Sequence, residues 1–210
     1  MKTLHESIRQ RVEFKRKFNL RELYHAYIFA PRAISVLSKN KKSKLVDQKF
    51  IERLQLAVTE VNGCAACSYQ HTKMALEQGM SNEEISSFLS GGDSFIKPEE
   101  AKGIIFAQHF ADSKGHPAKH AYDSIIKEYG EQKAQIILSA VQIILVGNMY
   151  GIPFSAFISR RKGHPYKDST LFYELSMMIF GLIIFPIAII HGLLRALIGL
   201  PNIRLDKNTY

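Results

Sequence analysis

Cys64 and Cys67 are the only two cysteines in 210 residues, and they stand three apart in the stretch VNGCAACSYQH. His71 follows four positions after the second. A thiol pair at this spacing has four readings: haem attachment, a thioredoxin-type motif, structural zinc, or a free-standing redox dithiol. Haem attachment wants histidine directly after the second cysteine, and position 68 is serine. A thioredoxin motif wants a strand before it in a βαβ setting, whereas the preceding FIERLQLAVTEV has helical spacing. Structural zinc wants four ligands. Cys64, Cys67 and His71 offer three, and the fourth would have to come from His109, His116 or His120. The remaining reading is a dithiol redox centre in an all-helical setting.

The flanking elements favour that last reading. Asn62-Gly63 is a helix-stop and turn signal, so Cys64 stands at the start of the following helix. A thiolate there faces the positive end of the helix dipole, which lowers a thiol pKa. Cys67 falls one turn on and His71 one turn further, which puts all three on one face. His71 can then take a proton from Cys67 or support its thiolate as a cation.

The rest of the chain reads as helices. Residues 20–37 are apolar-periodic and interrupted by Pro31, and Asp47 precedes an apolar-periodic run from Phe50 to Val61. Helical patterns follow over 64–78, 81–89 (opened by Ser81 with Glu84 three residues on), 98–113, 118–129 and 131–148. No segment has the alternation of a β-strand, so the fold class is all-α.

Two segments stand apart. Residues 1–49 hold 13 Lys/Arg against 4 Asp/Glu, and this surplus of nine equals the whole net charge of +9. Such an arm is either a solvated face or attracted to phosphates of nucleic acid or anionic lipid. Residues 175–194 contain no Asp, Glu, Lys or Arg, and at the helical rise twenty residues reach about 30 Å, roughly a hydrocarbon core. Arg160, Arg161, Lys162 and Lys167 precede this segment, and Arg195 and Arg204 follow it. The stronger upstream cluster places the body on the cytoplasmic side of a membrane. The first residues, MKTLHESIRQRVEFKRK, lack the apolar run of a secretory signal. The expected location is therefore cytoplasmic, attached to the inner face of the cell membrane through 175–194, or else with 175–194 buried between subunits.

IERLQLAVTEVNGCAACSYQH resembles the core of the alkylhydroperoxidase D / carboxymuconolactone decarboxylase superfamily, whose pattern is a glutamate, eleven residues, then C-x-x-C-x-x-x-H. Here those positions are Glu52, Cys64, Cys67 and His71. The later stretches EEAKGIIFAQHFADSKGHP and EYGEQKAQIILSAVQIILVGNMYGIP resemble the helices that follow in peroxidase-related members. The resemblance implies an alkylhydroperoxidase D-like helical bundle over 45–160. Residues 1–44 would form a basic helical arm, and 170–200 a hydrophobic helix. It further implies a thiol peroxidase, with Cys67 attacking the peroxide, Cys64 resolving, and Glu52 and His71 relaying protons. No bound cofactor or metal is expected. The implied partners are a hydroperoxide substrate, a dithiol reductant protein and further copies of the chain in a homo-oligomer. A non-enzymatic, redox-responsive or zinc-bearing module whose basic arm binds nucleic acid or lipid is the disfavoured alternative. One departure weakens the peroxidase expectation: Ala66 stands where such members often carry histidine. Glu60, four residues before Cys64, would replace Glu52 over the thiols if the helix ran unbroken through Gly63.

Overall fold

The computed structural model describes residues 14–206, so residues 1–13 of the expected arm lie outside the described residues. The described residues hold seven α-helices: α1 (Leu20–Ser43), α2 (Gln48–Asn62), α3 (Ala65–Glu77), α4 (Asn82–Leu89), α5 (Ala101–Asp112), α6 (Lys119–Arg161) and α7 (Leu171–Leu197). A 3₁₀ turn over Pro98–Glu100 leads into α5. Among the described residues there is no strand beyond an isolated bridge of Ala118 with Asp206. The all-α fold expected from the sequence is the fold observed.

Local chemistry sets the helix ends. Asn19 accepts the Glu22 N–H at 3.0 Å while the Glu22 carboxylate accepts the Asn19 N–H at 2.8 Å, a reciprocal cap that starts α1. Helix α1 then runs straight through Pro31, the expected interruption, and on to Ser43. It is not a detached arm. Leu23, Tyr27 and Ile28 are buried in the common core, and the helix lies against α6 and α7. Ser81 accepts the Glu84 N–H to start α4.

Helix α6 is the axis of the bundle and touches α1, α2, α3, α5 and α7. It differs from the sequence expectation at both ends. The break expected near residue 130 is a kink at Gly130, whose φ of 76° is open to glycine. The helix also continues thirteen residues past Asn148, through Gly151 and Pro153, to Arg161. Its apolar length is mostly enclosed by the other helices, which makes it the core helix of the bundle.

Helix α7 is held at its start by Glu174, which is fully buried. Arg160 donates to both Glu174 carboxylate oxygens at 2.8 Å, and the Ser169 hydroxyl donates at 2.7 Å. Burial alone would raise this carboxyl's pKa. The hydrogen bonds from Arg160 and Ser169, together with the guanidinium charge, outweigh it and hold the group below its ordinary value. After α7 the chain returns to the bundle. The Asn202 amide donates to Phe29 O and Gln142 Oε1, and the Asp206 N–H donates to Pro117 O.

Candidate active site: a dithiol at a helix junction

The junction between α2 and α3 is built from backbone requirements upward. Gly63 ends α2 in the left-handed region, φ 71°, with its N–H on Thr59 O at 2.8 Å. A Cβ there would also lie 2.5 Å from the Lys15 nitrogen, so glycine is required for space as well as for φ. The Lys15 N–H donates to Asn62 O and lays the segment before α1 across the turn. Beneath it lies a buried amide chain: Asn62 Nδ2 donates to Asn148 Oδ1 at 2.9 Å, and Asn148 Nδ2 donates to Thr59 Oγ1 at 3.2 Å. Asn148 of α6 thus fixes the last turn of α2.

The chain reverses here and Cys64 becomes the N-cap of α3, its Sγ accepting the Cys67 N–H at 3.3 Å. Cys64 and Cys67 form a disulfide with Cα atoms 5.3 Å apart. The first turn of α3 is also capped from α6, where Ser155 Oγ accepts the Ala66 N–H at 3.1 Å and donates to Gly151 O at 2.7 Å. Gly151 faces the two sulfurs directly. A Cβ at that position would lie 2.8 Å from Cys64 Sγ and 2.9 Å from Cys67 Sγ.

Because α2 and α3 run back on each other, Glu52 and His71 meet. His71 Nδ1 lies 3.1 Å from Glu52 Oε2, and Gln48 Nε2 donates to the other carboxylate oxygen at 3.1 Å. The Glu52 carboxylate is 1% exposed, so these hydrogen bonds offset the desolvation it would otherwise suffer. One residue further along α2, Arg53 is buried with Glu84 (2.7 Å) and Glu100 (2.9 Å), which ties α2 to α4 and to the turn before α5. Glu60 is not over the thiols. It pairs with Lys15 on the far side of the turn and packs beside Gly91. The helix break at Gly63 is the physical reason Glu52, not Glu60, reaches the site.

The two cysteines differ in access. Cys64 is fully buried, whereas Cys67 is 8% exposed and lines a cavity of about 570 Å³ together with His71. Its other walls are chiefly apolar, among them Tyr27, Tyr150 and Phe154. Burial, and secondarily the neighbouring Tyr150, pushes the Tyr27 hydroxyl up to about 12, so it stays protonated at any physiological pH. On the other side of the Glu52–His71 pair lies a second, more polar cavity of about 640 Å³, bordered by Glu52, Gln48, Asp47, Lys41 and Lys44.

The four residues singled out in the sequence are therefore brought together: the two sulfurs in one bond, His71 on the same cavity as Cys67, and Glu52 on His71. Two of the three histidines weighed as a fourth zinc ligand, His109 and His116, have other engagements. His109 Nε2 accepts the Ala118 N–H, and the His116 ring packs edge-on to His25. Among the described residues no group of three or more His, Cys, Asp or Glu is placed to hold a metal ion. Sequence reasoning missed Gly151, Ser155, Asn148 and Tyr27. A glycine inside an apolar helix costs about 1 kcal/mol against alanine, so Gly151 carried the signal of a close packing contact. It fell beyond the point where the helix was expected to end.

The fold and the junction define a class: an all-α helical bundle with a cysteine pair at a helix N-terminus. Residues 34–104 match the model of the carboxymuconolactone decarboxylase family, in agreement with the resemblance seen in the sequence. An uncharacterized protein of Bacillus subtilis (strain 168), YdfG, is 24% identical over 129 residues, covering 56% of this chain and 84% of the relative. No solved structure matches the chain.

Proposed function

We propose that the chain is a dithiol peroxidase that reduces organic hydroperoxides through a Cys64–Cys67 disulfide cycle. The observation that carries this reading is the bonded sulfur pair with one member, Cys67, opening with His71 onto an apolar cavity while the Glu52 carboxylate holds His71 from behind.

In the reduced protein His71 donates its Nδ1–H to Glu52, which leaves Nε2 to take the Cys67 proton. The buried carboxylate stabilises the imidazolium that results. The Cys67 thiolate attacks the terminal oxygen of R–OOH and the O–O bond breaks. The leaving alkoxide takes a proton from the imidazolium and departs as R–OH, with Cys67 left as a sulfenic acid. The Cys64 sulfur then attacks Cys67 Sγ, and hydroxide leaves with the Cys64 proton as water. In sum, R–OOH and two thiols become R–OH, water and one disulfide. An external dithiol, oxidised in turn, returns two electrons and two protons. The burial of Cys64 and the access of Cys67 support the attacking role for Cys67. The polar cavity behind Glu52 gives protons a route to solvent that does not cross the apolar one.

The test is thiol counting on the reduced protein before and after cumene hydroperoxide. Loss of two thiols per chain, abolished in Cys67→Ser, is the expected result. Thiols inert to hydroperoxide would overturn the reading.

A further inference from the structure

Helix α7 is packed on one side and bare on the other. Its packed side is a line of small or long thin residues: Met177, Gly181, Ala188 and Gly192 are buried. The contact is so close that a Cβ on Gly192 would lie 2.2 Å from Ile28 O, and one on Gly181 would lie 3.1 Å from Leu23 and 3.3 Å from Tyr150. The other side exposes Ile179, Ile183, Ile187, Ile190, Leu194 and Leu197, a continuous apolar stripe over five turns, each residue at least half exposed. A stripe of this length is an interaction surface, not scattered surface leucines.

Helix α7 cannot cross a bilayer and keep this packing. The segment before it is tied to the bundle through Arg160 and Ser169, and the segment after it through Asn202 and Asp206. Both flanks therefore lie on the same body, and α1, clamped along α7, carries Arg21 and Arg32. What the geometry permits is a helix lying flat, with its bare stripe sunk into a leaflet.

Charge selects the occupant. Cations stand at both ends of the stripe. Lys17 sits 5.0 Å over the Tyr173 ring, and Arg161 and Lys162 are exposed at the start. Arg195 sits 5.7 Å over the Phe29 ring near the end. The one carboxylate on α7, Glu174, is buried against Arg160. The flank before α7 also carries exposed Asp168, but cations outnumber it there, so pairing α7 with its own copy would set net positive charge against net positive charge. An anionic headgroup layer answers the same pattern favourably. The dithiol cavity adjoins α7 through two of its wall residues. Its wall residue Tyr27 packs edge-on to Phe185 of α7 at 5.1 Å, its wall residue Tyr150 donates to Met178 O, and Phe154 and Phe185 are both exposed along the shared edge.

We propose that α7 seats the protein flat on an anionic membrane leaflet, and that its substrate is a hydroperoxide carried on a lipid acyl chain, which enters the apolar cavity from the leaflet side. The substrate half rests on the peroxidase reading above; the docking half does not. Reduction follows the same balance, with the acyl-chain hydroperoxide leaving as the acyl-chain alcohol and the two thiols as the disulfide.

The experiment is flotation of the full chain with phosphatidylcholine vesicles, with and without phosphatidylglycerol, alongside its mass in solution. The chain is expected to float with the anionic vesicles, less with the neutral ones, and less again as salt rises. The double variant Ile183→Glu/Ile190→Glu, at exposed positions outside the cavity, should lose flotation by about tenfold or more. In single-turnover thiol oxidation the same variant should slow with a phospholipid hydroperoxide in vesicles and be unchanged with tert-butyl hydroperoxide in solution. No flotation of the wild type, with a mass that falls in the variant, would make the stripe a contact between copies and overturn the proposal. Flotation with thiols inert to every hydroperoxide would keep the docking and overturn both the substrate half and the peroxidase reading. Equal slowing of the variant with both hydroperoxides would overturn the leaflet entry.

Discussion

The dithiol junction and helix α7 use the same device to opposite ends. In both, a glycine lets one helix approach what an alanine would push away: Gly151 admits the two sulfurs, and Gly192 admits the backbone of α1 at Ile28. At the junction, most polar groups then find partners within the bundle, with Asn62 Oδ1, Ser68 Oγ and Thr72 Oγ1 the exceptions among the described residues. Asn148, Ser155, Gln48 and His71 each meet a named partner. On α7 the close contact completes one side and leaves the other apolar and open. The lesson is that tight packing by itself does not define a finished surface. The junction is largely enclosed by the bundle, whereas α7 is enclosed on one side only.

The comparison is easiest to break at the junction's supporting charge. Arg53→Met leaves Glu84 and Glu100 without their buried cation, and a loss of about 3–5 kcal/mol is expected from removing one partner of a buried pair. Thermal or denaturant unfolding measures it. A loss below about 1 kcal/mol would show that the junction is not held from behind in this way. Next comes Glu52→Gln, which keeps the shape but removes the charge behind His71. Thiol oxidation by hydroperoxide should slow about hundredfold, within the range for a lost proton-transfer partner. The pH dependence should change with it, which a merely structural role for Glu52 would not produce.

Two glycine replacements sharpen the contrast. Gly192→Ala should cost about 1–3 kcal/mol of stability by prising α7 from α1, and leave thiol oxidation of a soluble hydroperoxide near its original rate. Gly151→Ala should do the reverse, altering the rate at which the cysteines oxidise or reduce by more than it alters stability. If both variants lose stability alike and neither changes thiol chemistry, the two regions are not distinct in the sense argued.

The smallest effect is a pH response away from the dithiol, beside the α1–α7 contact. Burial, then the Arg204 charge, holds His25 below the ordinary histidine value of 6.5, and His116 is lowered by the same two causes in the same order. The Arg204 guanidinium donates to His25 Nδ1 at 3.0 Å, an interaction that requires neutral imidazole. Histidines of this kind bind protons more readily in the unfolded chain. Their contribution to stability is therefore full above pH 6.5 and declines as pH falls from 6.5 through the lower folded value. His116→Gln should flatten the slope of stability against pH across that window, as read by unfolding midpoints at a series of pH values.

The all-α class and the break at Gly63 were legible in the sequence because both are local. Helical periodicity and an Asn-Gly stop need no tertiary partner to be read. Cys64, Cys67 and His71 were legible through their spacing, whereas Glu52 entered only through the family resemblance, and the turn at Gly63 is what folds it back onto His71. What was not legible came from the far end of the chain. Gly147, Asn148, Gly151 and Pro153 read as a run of helix breakers, yet α6 continues through them because its neighbours enclose it and because Asn148 has amide partners on α2. The same tertiary override carried α1 through Pro31. The fate of α7 was only half legible. Its composition announced an apolar helix, but the clamp on α1 that keeps it on the body depends on where its glycines fall against Ile28 and Leu23.

Gly151 and Ser155 also bear on how the molecule can be divided. The family match ends at residue 104, and the helix that carries both of these residues begins only at Lys119. A fragment trimmed to the matched segment would keep both sulfurs, Glu52 and His71, yet lose the wall against which the sulfurs rest and the hydroxyl that caps the Ala66 amide. The family match and the set of residues that enclose the sulfurs have different edges, and a fragment cut to the first would hold thiols without a seat.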